Sequence, residues 1–335
     1  MNALPMAVTE PAPLGAAEIA ELQSEIRELA RARDALILAH NYQLPEVQDV
    51  ADFVADSLEL SRRAADADAS TIAFCGVHFM AETAAILSPD KTVLIPDPDA
   101  GCSLAESITA PQLAAWKAEH PSAIVVMYVN TSAEVKALTD YCCTSANAVA
   151  VVRRVLESHG QDAEILFGPD LFLGTYVARM LDRPLYLWDG ECHVHAGIRP
   201  SDIQATRAAH PEAELLIHPE CGCVSSVMEY VAAGDIDADG VQILSTGGML
   251  RYAREAEPGT SAIVATETGM LHPLRAAAPD VQFIAANAEA SCRFMKMITL
   301  PKLRDALRDG VHEVSVPPET AAGARRAIER MVAIS

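Results

Sequence analysis

Cys102, Cys192 and Cys292 are the residues of this 335-residue chain whose spacing invites chemistry, because each holds the same place in a pattern that comes three times. An apolar stretch at 92–95 turns through Pro96, Asp97, Pro98 and Asp99 towards Cys102. The stretch at 185–188 turns through Asp189, Gly190 and Glu191 into Cys192, and that at 281–284 through Asn287 and Glu289 into Cys292. A helical pattern follows each of them. Three thiolates cannot complete a four-cysteine zinc site, but they can hold a [4Fe-4S] cluster by three of its corners. The fourth iron would then be open to substrate as a Lewis acid. Zinc with three cysteines and a histidine is the alternative, since Cys192-His193-Val194-His195 brings His195 near, and spacing alone does not separate the two metals. Taken singly, each cysteine reads as a small buried hydrophobe.

The other cysteines fit that plainer reading better. Cys75 ends an apolar stretch, and Cys142 and Cys143 are neighbours that do not suit one centre. Cys221-Gly222-Cys223 could bind metal or oxidise, although structural thiols are the simpler account.

The elements that must position the cysteines repeat with them. Short apolar strands at 35–39, 123–127 and 214–217 end on His40-Asn41-Tyr42, Tyr128-Val129-Asn130 and His218-Pro219-Glu220. All three ends carry residues able to exchange protons or hydrogen bonds. A hydroxyl then opens a second helix in each unit: Ser57, Ser145, and Ser245-Thr246. Such residues can be N-caps, or can join the helix amides in holding a carboxylate or phosphate. Second strands at 71–75, 164–167 and 261–265 precede the strand that leads to the cysteine. Strands alternating with helices imply parallel pairing with right-handed crossovers, and ligands collect at the carboxyl ends of such strands. The fold expected is α/β: three similar three-layer αβα units with short parallel sheets around a pseudo-threefold axis. A tail at 1–18 precedes units at 19–108, 109–198 and 199–300, and 301–335 closes the chain without a fourth copy.

Composition narrows the function. Half the residues are apolar while aromatics make up only 5%, which suits closely packed parallel sheets. The net charge of −21 argues against nucleic acid and anionic membrane surfaces as partners. It also means that an anionic substrate must be held by local devices. The Ala- and Pro-rich start makes a poor signal peptide and no apolar run reaches a membrane span, so a cytoplasmic location is expected, where thiols outnumber disulfides.

Seven motifs occur together and in order: Leu38-Ala39-His40-Asn41-Tyr42-Gln43, Asp56-Ser57-Leu58-Glu59-Leu60, Pro98-Asp99-Ala100-Gly101-Cys102-Ser103, Tyr128-Val129-Asn130-Thr131, Cys142 with Thr144-Ser145-Ala146-Asn147, His218-Pro219-Glu220-Cys221, and Met295-Lys296-Met297. From about residue 20 to the C-terminus the chain resembles the quinolinate synthase family of bacterial de novo NAD biosynthesis. The resemblance implies condensation of iminoaspartate with dihydroxyacetone phosphate to quinolinate, with release of phosphate and two waters. It implies one [4Fe-4S] cluster per chain at the bottom of a central funnel, with Cys102, Cys192 and Cys292 as ligands. An L-aspartate oxidase or dehydrogenase is implied as the upstream partner.

Matched by position, Glu220, His218 and Tyr42 are the expected catalytic groups, with the first two moving protons and Tyr42 donating one to a leaving group. His40, Ser57, Tyr128, Asn130, Ser145, His195 and Thr246 are expected to bind substrate. The chain departs from part of the family in carrying Met295, not a second cysteine, three residues after Cys292, so no redox switch is expected there. A cluster-based electron carrier would make the hydroxyls, histidines and Glu220 superfluous, a reductase would need a reductant, and a zinc hydrolase would carry zinc.

Overall fold

The computed structural model describes residues 14–234 and 239–334. Most of the tail expected at 1–18 lies outside them, and the first helix, Ala16–Ala32, already begins within that range. Its Leu22, Ile26 and Ala30 share one buried face, as helical spacing dictates.

Three all-parallel sheets follow in chain order. The first holds β1 (Ala35–His40), β2 (Phe53–Ala55), β3 (Thr71–Cys75) and β4 (Thr92–Leu94) in the order β2-β1-β3-β4. The second repeats that order with β5 (Ile124–Tyr128), β6 (Tyr141–Cys143), β7 (Ile165–Gly168) and β8 (Tyr186–Leu187). The third does so with β9 (Glu214–Ile217), β10 (Val241–Ile243), β11 (Ser261–Ala265) and β12 (Gln282–Ala285). Helices connect the strands, and the central strands β1, β5 and β9 are buried as continuous runs, which is why they read as unbroken apolar stretches. The edge strands β2, β6 and β10, three residues each, escape sequence reading, whereas β4 and β8 are as short but lie within longer apolar stretches that include Ile95, Leu185 and Trp188.

Register makes the threefold repeat quantitative. His40 pairs with Ala55 and Tyr128 with Cys143, while Ile217 pairs with Ile243, which puts His218 opposite Leu244. His40, Tyr128 and His218 are therefore equivalent, and so are Tyr42, Asn130 and Glu220. The amides of His78, Leu171 and Thr268 donate to the carbonyls of Ala100, Gly190 and Ala290 at 2.7, 2.8 and 2.8 Å. Each cysteine follows two residues after that carbonyl.

The last stretch ties units together. Glu313 bridges antiparallel to Leu94 on the edge of the first sheet. The helix Pro318–Val332 buries Ala324, Ala327, Ile328 and Met331. Its end is gripped by Asn147, whose Nδ2 donates to the Met331 and Ile334 carbonyls at 3.0 and 2.8 Å, and by Arg62, which reaches the Val332 carbonyl. Among the described residues no helix is long and apolar enough to cross a membrane.

Candidate active site

Every residue nominated from sequence lines one cavity where the carboxyl ends of the three sheets converge: the three cysteines together with His40, Tyr42, Ser57, Tyr128, Asn130, Ser145, His195, His218, Glu220 and Thr246. Register explains the company they keep. Ser57, Ser145 and Thr246 stand in line, each two residues beyond an equivalent point on the edge strands β2, β6 and β10.

None of the three is itself a helix cap. Asp56 caps Ser57–Asp66 by accepting the Glu59 amide at 3.0 Å, and Ser245 caps Thr246–Glu255 by accepting the Gly248 amide at 3.2 Å. In the second unit Asn147 turns back to accept the Thr144 amide at 2.9 Å. Ser145 Oγ meets His218 Nε2 at 3.1 Å, and Thr246 Oγ1 accepts from Asn41 Nδ2 at 3.0 Å.

The cysteines are set up alike. The turn after each one aims two backbone amides at its sulfur: Leu104 and Ala105 at Cys102, Val194 and His195 at Cys192, Phe294 and Met295 at Cys292. Burial nonetheless pushes the Cys102 thiol up to about 12, with the neighbouring Cys292 adding to the rise, and burial also raises Cys192 and Cys292. Three partly buried thiols at one cavity, with donors already pointed at the sulfurs, suit a multivalent cationic centre that displaces their protons. Among the described residues, Cys192, His195 and Glu220 also bring ligand atoms within 4.8 Å of one another.

Above the thiols lies a hydrogen-bonded group of rings. His195 Nδ1 is 3.2 Å from Cys192 Sγ, and its Nε2 meets the Thr266 hydroxyl at 2.9 Å and the Tyr42 hydroxyl at 3.2 Å. Tyr42 and Thr266 bond directly at 2.6 Å. His195 stacks on His218 with ring centroids 4.9 Å apart. Glu220 lies beside both: one carboxyl oxygen is 3.6 Å from His195 Nδ1, and the other is 3.5 Å from His218 Nδ1 and accepts the Tyr128 hydroxyl.

Electrostatics set the protonation states. Burial, reinforced by the carboxylate of Asp170, holds Glu220 well above the ordinary glutamate range. Burial takes the histidines the other way, His40 and His195 to about 3 and His218 well below its usual value. The neutral His40 ring accepts the Tyr42 amide at Nδ1, 3.2 Å away, which leaves its proton on Nε2. A protonated carboxyl beside neutral imidazoles can hand a proton over or take one back.

In metal-free protein the His40 and His195 imidazole resonances are therefore expected not to titrate between about pH 5 and 8 when followed by NMR. A midpoint above about 6 for either would contradict the neutral assignment. Linkage fixes the sign for stability. The unfolded chain binds these protons first, so both rings work increasingly against folding as pH falls from about 6.5 towards 3. Glu220, raised in the fold, works in the opposite sense.

Several cavity residues have no assigned role in the sequence reading, among them Asp56, Ser103, His193, Glu267, Phe294 and Met295, and the same holds for Thr266, which bonds Tyr42 and His195. Thr266-Glu267 had a signal, because it follows β11 where Pro169-Asp170 follows β7. The structure also pairs Cys221 and Cys223 as a disulfide, with both residues fully buried, in place of the free thiols expected.

A family model described as quinolinate synthetase A protein matches residues 24–333 of the chain. The quinolinate synthase of Mycobacterium sp. (strain KMS) is 59% identical over 315 residues, which cover 94% of this chain and 92% of that protein. That of Mycobacterium tuberculosis (strain ATCC 25618 / H37Rv) is 58% identical over 312 residues, 93% of this chain and 88% of its own. The quinolinate synthase of Mycolicibacterium paratuberculosis (strain ATCC BAA-968 / K-10) is 58% identical over 316 residues, 94% and 89% of the two chains.

Proposed function

The chain belongs to the quinolinate synthetase A family, enzymes of NAD biosynthesis, and from that premise we propose that it condenses iminoaspartate with dihydroxyacetone phosphate. The products are quinolinate, phosphate and two waters, and atoms balance without an oxidant or reductant. The observation that carries this reading is the threefold-equivalent ring of polar strand ends around one cavity that also holds the three cysteines.

Cys102, Cys192 and Cys292 would hold a [4Fe-4S] cluster. When bound, it supplies a Lewis acid to a substrate oxygen. The protein supplies the rest. Ser57, Ser145 and Thr246, all at the cavity wall, offer hydroxyls to the carboxylates and phosphate of the two anionic substrates, while His40, Tyr128 and Asn130 orient the condensing carbons. Burial favours the protonated form of the Glu220 carboxyl, which lies 3.5 Å from His218 Nδ1, an atom with no hydrogen-bond partner among the described residues. That pair can remove a proton to form the enamine nucleophile and return one to a departing hydroxyl. Tyr42 Oη, bonded to Thr266 and His195, donates to a leaving group.

Unit boundaries at 108, 198 and 300, a cytoplasmic location, and supply of iminoaspartate by an L-aspartate oxidase or dehydrogenase belong to the same proposal. A second reading rests on the 4.8 Å grouping of Cys192, His195 and Glu220, which could hold a single metal ion. One sample decides between them. Protein purified without oxygen is analysed for iron, sulfide and zinc and assayed for quinolinate. About four irons and four sulfides per chain with quinolinate formed supports the first reading. Active protein with a single zinc or no metal would overturn it.

A further inference from the structure

The three units are equivalent in backbone but not in what stands behind their cysteines. Two residues past the ends of β3, β7 and β11 come Val77, Asp170 and Glu267. In the third unit Glu267 Oε1 accepts the backbone amide of Cys292 at 3.0 Å, and its Oε2 accepts that of Gly269 at 2.7 Å. In the second unit the Cys192 amide likewise faces the Asp170 carboxylate. In the first unit Val77 offers nothing to Cys102.

Four residues after each cysteine the units differ again. The amides of Glu106, Ala196 and Lys296 donate to the carbonyls of Cys102, Cys192 and Cys292, so these three positions are equivalent, yet only the third carries an ammonium. Lys296 Nζ lies 3.0 Å from Glu267 Oε1 and donates to the Tyr42 carbonyl. The Glu267 side chain is fully buried. Gly269 sits so tightly in this joint that an added Cβ would meet Glu267 Oε2 and Lys296 Nζ at 2.7 Å and the Tyr42 carbonyl carbon at 2.9 Å. Gln48 clamps the same place, its Nε2 donating to the carbonyls of Asn41, Gln43 and Gly269.

We propose that Glu267 and Lys296 are positioning residues: an ion pair between a buried carboxylate and a partly exposed ammonium that fixes the Cys292 backbone and, through the ammonium, the Tyr42 backbone in one relation. Tyr42 comes from the first unit and Cys292 from the third, and no covalent neighbour joins them. The pair acts as a strut across the unit boundary, tying the backbone of a proton donor to the backbone of a cysteine ligand. This rests on the reading of Cys292 as a cluster ligand and Tyr42 as a catalytic group.

The test uses holoprotein purified without oxygen. Iron release to excess bathophenanthroline disulfonate is timed by the loss of cluster absorbance, beside kcat and KM for quinolinate formation and the melting temperature of metal-free protein. Glu267→Gln and Lys296→Met are expected to release iron about 10–100-fold faster than wild type and to lower kcat more than they raise KM. Lys296→Arg should restore slow release. Glu106→Gln, at the equivalent turn without a strut, should behave as wild type. The metal-free variants should still melt cooperatively, with Glu267→Gln and Lys296→Met below wild type, and faster iron release from protein that is folded at the assay temperature separates positioning from loss of fold. Release from Glu267→Gln and Lys296→Met at the wild-type rate would overturn the proposal. If Glu267→Gln does not fold, the contrast between Lys296→Met and Lys296→Arg decides it alone, and equal rates for those two would sink it. Wild-type protein without iron would remove the cluster reading and the strut with it.

Discussion

Glu220→Gln protein is expected to keep its iron and lose quinolinate turnover by about 10²–10⁴-fold, the range a positioned general acid or base contributes. Glutamine preserves the shape of the side chain and can still accept the Tyr128 hydroxyl, so the buried site has no new gap to collapse into. It lacks the proton that burial and Asp170 keep on Glu220. Iron content and single-turnover rates measured together distinguish two accounts. If Glu220 were instead a ligand of one ion held with Cys192 and His195, metal would be lost along with activity. Normal turnover would refute the proton-transfer role outright. The sign of the pH dependence follows as well. An acid with a raised pKa works below it, so wild-type turnover should decline as pH rises through that value, and the Glu220→Gln protein should lack this limb.

That experiment is possible because the site was legible before the fold was. His40, Tyr128 and His218 end buried central strands, and a buried parallel strand shows itself as an unbroken apolar run that stops where polar residues begin. The cysteines were legible for a related reason: each closes a turn after the last strand of its unit. Recurrence across three units did what no local motif could, since the thiols carry no short-range signature.

Legibility ended where contacts cross between units. Thr266 and Glu267 act through hydrogen bonds to Tyr42, His195 and the Cys292 amide, residues of the first unit, of the second, and of a distant turn of their own. Nothing in a linear pattern ties position 267 to position 42. The edge strands β2, β6 and β10 failed differently, because three residues carry no period and no longer apolar stretch surrounds them as one surrounds β4 and β8. Capping falls one residue before the cavity hydroxyl in two units: Asp56 caps the helix that Ser57 opens and Ser245 the one that Thr246 opens, and this frees the Ser57 hydroxyl for the cavity. Of the two roles open to the serine, this leaves the one in the cavity. For Cys221 and Cys223 the spacing permitted a thiol pair or a disulfide, and the folded backbone brings their Cα atoms to 5.2 Å, within reach of a disulfide.

The same threefold logic makes Cys192→Ser, with Cys102→Ser and Cys292→Ser beside it, the second large effect. All three variants are expected to fold, lose most cluster absorbance and iron, and drop quinolinate formation on the order of 10³-fold or more, because a Lewis acid supplies several kcal/mol at tenfold per ~1.36 kcal/mol. Serine is nearly isosteric and the cysteines stand at the cavity wall, outside the sheets, so far-UV circular dichroism should be unchanged. The comparison among the three is more telling than any one of them. A cluster held by three corners fails whichever corner is removed. A single ion on Cys192, His195 and Glu220 would survive Cys102→Ser and Cys292→Ser with its metal in place. Equal loss in all three variants therefore selects the cluster, and loss confined to Cys192→Ser selects the single ion. Retention of iron and activity in Cys192→Ser would take this residue out of the metal site under both accounts.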